Sequence, residues 1–385
     1  MPNVSEGRDR DRIAALVAAV DDACRDRADG GRAALLHHDA DADHHRTVFT
    51  LAGDADGLAR AVLALAAAVD DAIDLRRHAG AHPRLGALDV VPIVPLAAAP
   101  DRLHRARAER LANRLGDALA QRFALPVFRY DAVRSDAAGG HPTLADLRRG
   151  GLERLAQRMA LHPDDPARAR PGHGPRVPHP RLGVTAVGVR GPLIAYNVVL
   201  DDGANRDDAR AIAARVREAG GGPIGVRALG LALASRGRAQ VSMNLIAPLT
   251  TPPRAAFDAV RDAAAARGCE AAESEIVGLA PAACVAEDDA RAIRLAGFDR
   301  QRQVLETRLR EACRRDPSLG LIGPDGRFPD GRRDAYGALQ SSATTRGALQ
   351  MQRNAQGRDV SRRGAYGALA PTGGSSARAS RIATS

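Results

Sequence analysis

The chain has 385 residues, 45% of them apolar and only 3% aromatic, with a formal net charge of +10. That supports two or three domains with a sizeable core of Ala, Val, Leu and Ile, and it excludes nucleic-acid binding on stacked aromatic platforms. No apolar run reaches the roughly 18 residues needed to span a bilayer, and the four cysteines form neither a CxxC pair nor a disulfide framework, so a soluble cytoplasmic protein is expected.

Apolar residues recur every three or four positions in DRDRIAALVAAVDDAC (9–24), in DADGLARAVLALAAAVDDAIDLRR (54–77) and in PDRLHRARAERLANRLGDALAQRF (100–123), which predicts three helices. Strand-like runs lie between and after them at 47–53, 87–96 and 126–133. The alternation reads as α/β. The segment 163–180 breaks the rhythm with PDDPARARPGHGPRVPHP, too rich in Pro, Arg and His for a core element, and reads as a linker or binding loop.

A second block opens with GVTAVGV (183–189) and PLIAYNVVL (192–200), joined at Arg190 and Gly191 in what reads as a β-hairpin. Helices at 205–219 and 252–267, strands at 226–233, 239–246 and near 274–278, and a final helix suit a mixed or antiparallel sheet with helices on one face. Periodicity ends at 317, and RRDAYGAL (332–339) returns as RRGAYGAL (362–369), a repetitive, apolar-poor pattern that predicts disorder. This tail carries ten Arg against four acids, six of the ten surplus positive charges. No Lys occurs anywhere, so every cation is Arg.

Two motifs resemble ligand sites. HHDADADHH (37–45) has the density of metal ligands, and on strand spacing His37, Asp39, Asp41, Asp43 and His45 would share a face. It fails as a calcium loop, having His44 in place of Gly at the sixth position and Thr50 in place of Glu at the twelfth. No Cys pair and no His-x3-His partner helix accompanies it, and no metal is expected. GGGPIG (220–225) satisfies GxGxxG, but it follows a helix and leads to a strand, the reverse of a dinucleotide fingerprint, so it reads as a cap and turn.

RRHAGAHPRLGALDVVPIVP (76–95) places His78 and His82 ahead of a tight turn feeding a strand. Together with PNVSEG (2–7), HRTVFTLAG (45–53), GVTAVGVRGPLIAYNVVL (183–200), RALGLALASRGRAQVSMNL (227–245) and SEIVGLAP (274–281), it closely resembles the glutamate formiminotransferase family over about 300 residues.

The resemblance implies an α/β (α+β) fold of two similar subdomains, each a mixed sheet flanked by helices, with a folate cleft between them. The expected division is 1–178, 179–316 and a disordered Arg-rich tail at 317–385. It implies transfer of the formimino group from N-formiminoglutamate to N5 of tetrahydrofolate as co-substrate, with His82 of the HPR-x-GALDV motif as catalytic group. Folate binding maps onto Gly174, Pro175, Arg176, Val177, Pro178, His179, Pro180, Arg181, Leu182 and Gly183. An imidazole titrating near neutrality suits proton movement between the two amines, and Arg forks suit glutamyl carboxylates, which nominates Arg46, Arg84 and Arg190. His45 stands where the family has Asn.

A homodimer is expected, with a separate cyclodeaminase and with neither membrane nor nucleic acid as partner. A paralogue acting on 5-formyltetrahydrofolate and a non-catalytic folate-binding protein are the alternatives. The family also has a strand ending in V-P-N-x-S-E-G where this chain reads MPNVSEG, which implies a start codon upstream of Met1.

Overall fold

The computed structural model describes residues 1–80, 84–96, 102–131, 141–165, 169–233, 235–323 and 327–328. Three of its helices, α1 (Arg10–Arg25), α2 (Ala55–Ala72) and α3 (Arg102–Phe123), follow the predicted periodicity to within a few residues. Asp9 accepts from the Asp11 and Arg12 amides at the start of α1, and Asp54 accepts from Gly57 at the start of α2. Each carboxylate satisfies N–H groups that a first helical turn leaves unpaired.

The stripes Leu16 and Val20, Leu65 and Val69, and Leu111, Leu115 and Leu119 of these helices share one core with Phe49, Leu88, Val91 and Val187 of the first sheet. That sheet runs in the order β2-β3-β1-β4-β6-β5. Its strands are β1 (Asn3–Val4), β2 (Ala33–Asp41), β3 (Arg46–Gly53), β4 (Leu88–Ile93), β5 (Val127–Asp131) and β6 (Thr185–Val189). The pairs from β2 to β4 are antiparallel, and β6 is parallel to both β4 and β5.

The expected hairpin does not form. β6 lies in the first sheet, while β7 (Ile194–Leu200) lies in a second sheet, so Arg190 and Gly191 carry the chain from one sheet to the other. All five residues of β6 are buried, as a parallel strand covered on both faces requires. The second half, expected to open at 179, therefore begins its own sheet only at Ile194.

Two helices absent from the sequence reading, α4 (Leu144–Arg148) and α5 (Gly151–Leu161), cover the other face of the first sheet. Their Leu147, Leu155 and Met159 pack on Val90, Phe128 and Tyr130.

The second sheet is antiparallel throughout, in the order β10-β7-β9-β8, with β8 at Val226–Leu233, β9 at Arg238–Leu245 and β10 at Ala271–Val277. One face carries Tyr196, Val198, Val241, Met243 and Ile276 into a core with α6 (Arg206–Val216) and α7 (Pro253–Ala265). GGGPIG is the turn after α6, with Gly221 in the left-handed region. Because side chains alternate along a strand, Asn197, Gln240 and Glu275 point away from those helices.

Short helices α8 (Asp289–Ala292) and α9 (Arg300–Gln303) lead to α10 (Leu305–Arg315), which packs on β2. Here the tail expectation needs correcting at its start. Residues 317–319 form a 3-10 turn, and Leu319, Ile322 and Phe328 are buried with Leu36, Leu279, Leu309 and Cys313. The rest of the segment read as disordered, 329–385, lies outside the described residues.

Candidate active site

β1 delivers Ser5, Glu6 and Gly7 to the mouth of the first sheet, where Ser5 is bonded through its amide to Ala87 O and through its hydroxyl to Gly86 O. Glu6 is 3% exposed, and its Oε1 accepts from the amides of Gly7, Arg8 and Asp9 at 2.9, 2.9 and 3.1 Å. Burial alone would raise this carboxyl. The Arg8 and Asp9 amides and the adjacent His45 outweigh burial and hold it below the ordinary carboxylate range.

His45, at φ 50°, bridges two segments: Nε2 lies 3.1 Å from Glu6 Oε1 and Nδ1 3.1 Å from Ala79 O. His78 stacks on it and donates Nε2–H to the His45 carbonyl at 2.9 Å. Burial pushes the His78 imidazole down, the His45 carbonyl opposes that, and the positive groups nearby reinforce it. His78 Nδ1 is buried with no partner among the described residues. Gly80 completes the wall: a Cβ there would stand 2.6 Å from His44 O, so only glycine permits the approach.

His82 lies outside the described residues, and its two flanks are anchored. Gly80 packs on His44 and His45, while beyond Arg84 the Leu85 amide donates to Asp89 Oδ1 at 2.7 Å and Leu85 O accepts from Val184.

The segment from Gly174 to Gly183 is a loop that closes against the same flank. His179 and Gly183 exchange backbone hydrogen bonds, and His179 Nδ1 accepts from Leu182 N at 3.0 Å. The Arg181 guanidinium bonds to Asp70 O at the end of α2, while the backbone carbonyls of Arg181 and Leu182 accept from Leu75 N and Ala87 N. Gly174 and Gly183 have φ of 81° and 72°, a backbone region that glycine adopts without strain. Arg176 pairs with Asp164 and Val177 is 66% exposed, so the loop presents both a cation and an apolar side chain.

The three nominated arginines have different surroundings. Arg46 is largely but not fully buried, with Nη2 2.8 Å from Asp89 Oδ2 and Nη1 3.2 Å from Asn3 Oδ1, and burial pushes it down to about 10. Arg148, which no motif singles out, joins it on Asp89 at 2.5 Å. Two guanidiniums therefore share one fully buried carboxylate, leaving a surplus positive charge. Arg190 follows β6 and lies beside Met1, whose ammonium is pushed down to about 4, chiefly by burial. Among the described residues Arg84 has only a 3.4 Å contact with Glu153, itself 68% exposed.

The acidic stretch is half strand and half turn. β2 ends at Asp41, so the single face expected for 37–45 breaks there: both Asp41 oxygens are taken by His44 and both Asp43 oxygens by Ser235. Asp39 Oδ2 accepts from Gly278 N at 3.0 Å, which links β2 to the second half of the chain. Among the described residues no group of three or more His, Cys, Asp or Glu is arranged to hold a metal ion.

Residues 1–190 match the formiminotransferase domain, N-terminal subdomain, and residues 195–294 match the formiminotransferase domain. The junction between these two spans falls where the chain passes between sheets. The chain is 33% identical to a glutamate formimidoyltransferase of Streptococcus pyogenes over 80% of its length and 97% of that protein. It is also 33% identical to one of Thermoplasma acidophilum, over 81% and 97%. With the formimidoyltransferase-cyclodeaminase of Gallus gallus the identity is 32%, over 73% of this chain and 49% of that protein. Two matched subdomains on two sheets, and relatives matched along nearly their whole length, place this chain in the formiminotransferase family of transferases.

Proposed function

We propose that the protein transfers the formimino group from N-formiminoglutamate to N5 of tetrahydrofolate, giving 5-formiminotetrahydrofolate and glutamate in the breakdown of histidine. The observation that carries the reading is the closure of the 174–183 loop on the flank of the HPR-x-GALDV motif, through Val184 N to Leu85 O and Ala87 N to Leu182 O. A folate held by that loop would lie beside the segment that bears His82. In this reading His82 takes the proton from N5 and returns it to the departing glutamyl nitrogen. The surplus positive charge of Arg46 and Arg148 over Asp89, with Arg84 and Arg190, favours the glutamyl carboxylates of both substrates.

No helix among the described residues is long and apolar enough to cross a membrane. The four cysteines are free and buried, which suits a reducing compartment, and we place the activity in the cytoplasm.

The test is incubation with tetrahydrofolate and N-formiminoglutamate while the folate spectrum is followed. Formation of 5-formiminotetrahydrofolate in step with glutamate release is expected. Turnover of 5-formyltetrahydrofolate with none of N-formiminoglutamate would replace this reading by a formyl-transferring one.

A further inference from the structure

The face of the second sheet turned away from α6 and α7 carries a second constellation of polar groups. Glu275 and Asn197 are directly opposite across the β10–β7 pair, and Asn197 Nδ2 donates to Glu275 Oε1 at 2.7 Å. Gln240 lies on the neighbouring strand, opposite Val199. Glu275 and Gln240, with Asp39 and Asp41, line a cleft of about 270 Å³ between β2 and the second sheet. Gln240 is 1% exposed, and its Nε2 has no hydrogen-bond partner among the described residues. Buried side-chain polar groups are satisfied as a rule, so an unpartnered amide lining a cleft marks a place for a ligand atom. Its oxygen and nitrogen exchange by rotation, so it can present either.

The carboxylates differ in what they leave open. Asp41 and Asp43 are satisfied by His44 and Ser235, but Asp39 Oδ1 and Glu275 Oε2 have no hydrogen bond among the described residues. Burial pushes the Glu275 carboxyl up; the Asn197 bond and the Arg236 charge oppose this, and the negative charges of Asp41 and Asp39 add to it. Arg236 is the cation lining the cleft, and its guanidinium is hydrogen-bonded to Glu273. The cleft thus gathers carboxylates, with Arg236 engaged by Glu273, whereas Arg46 and Arg148 gather cations around Asp89.

We propose that this cleft binds the cationic amidinium end of the donor, with Glu275 and Asp39 as its carboxylate partners and Gln240 beside them, and so sets the preference for formimino over formyl donors. The inference rests on the formimino-transfer reading above. An N-alkyl formamidinium is planar and delocalised, and it offers two N–H groups in the fork that a carboxylate accepts. In the reaction N5 of the folate adds to the amidinium carbon, and the bond from that carbon to the glutamyl nitrogen then breaks. The proton lost by N5 ends on the departing amine. Addition passes the positive charge to N5 and leaves the terminal nitrogen a neutral amine; collapse of the tetrahedral intermediate restores the amidinium charge on that nitrogen, which travels with the carbon, so carboxylates holding its N–H groups serve the donor and the transferred product alike. A formyl donor puts a neutral carbonyl oxygen there, its lone pairs facing carboxylate oxygens.

N-formiminoglutamate and N-formylglutamate differ only at that atom, so their ratio of kcat/KM with tetrahydrofolate isolates the contact. The ratio is also independent of how much of a variant is folded. In the isosteric Glu275→Gln variant it should fall ~10- to 100-fold, the range for a hydrogen bond to a charged group, and Asp39→Asn should shift it in the same direction. If either variant loses turnover with both donors, the same ratio is read from their dissociation constants by calorimetry. A fall of less than threefold in both variants, with the parent transferring formimino groups normally, overturns this inference and leaves the proposed function standing. A parent that cannot use N-formiminoglutamate overturns both.

Discussion

The rings of His45 and His78 lie parallel, with centroids 4.2 Å apart and planes 8° from coplanar, and His78 donates to the His45 backbone at 2.9 Å. The pair ties the turn after β2 to the segment that runs toward His82. The fold lowers the His78 pKa, so it binds this proton less readily than the unfolded chain does. The associated stability is present in full above the unfolded value of about 6.5 and is lost as pH falls through the folded value. The parent protein should therefore melt progressively lower as pH drops from about 6.5 toward the folded value, and His78→Gln should flatten this part of the profile. Superimposable slopes for parent and variant between pH 6.5 and 5 would remove His78 from the account.

His82→Ala should be a chemical lesion. A general acid or base contributes about 10² to 10⁴ in rate, so kcat should drop by roughly that factor while the melting temperature and folate affinity hold. His78→Ala should leave kcat within about tenfold of the parent, because its contacts support the turn. The reverse ranking of these two variants would reject the assignment.

Arg84 and Arg46 should behave differently although both are nominated for carboxylates. Arg84 is only loosely tied to Glu153, so Arg84→Met should raise KM for N-formiminoglutamate about tenfold at nearly constant kcat. Arg46 supports buried Asp89, and Asp89→Ala would leave Arg46 and Arg148 without their shared carboxylate. Breaking a buried pair in that way costs about 3–5 kcal/mol, which denaturant unfolding should report. An Asp89→Ala protein as stable as the parent would show that the cluster is well solvated.

Chain shortened after Phe328 should keep its stability and turnover, whereas chain shortened after Asp316 should not. The intervening residues include Leu319, Ile322 and Phe328, each at most 6% exposed. Burying such side chains is worth about 1.5–3 kcal/mol apiece relative to exposure. Equal melting temperatures for the two truncations would contradict the packing of this segment on β2 and α10.

Activity should survive chelation. Two of the three aspartates in HHDADADHH, Asp41 and Asp43, have both oxygens engaged, by His44 and Ser235, and the third, Asp39, accepts from Gly278. Elemental analysis that found one tightly held zinc per chain, lost together with activity, would reverse this expectation.

Elements whose signal is local can be read from residue order alone. A helix that buries one stripe writes it every three or four residues, so α1, α2, α3, α6 and α7 were legible close to their observed limits, as were β8 and β9. The family segments around His82, Gly174 and Gly183 were legible too, because motif residues are contiguous.

What spacing does not record is which distant segment lies alongside. TAVGV and IAYNVVL are neighbours along the chain but belong to different sheets, and only the burial of β6 on both faces separates them. AALLHHDAD carries no clean apolar alternation, and its strand identity comes from pairing with β3. The Glu6, His45 and His78 contacts join three segments, and Arg148 reaches Asp89 from 59 residues away. Asp39 meets Gly278 across 239 residues. Hydrogen bonds and ion pairs of this kind depend on position in space, and the tertiary structure alone sets that position.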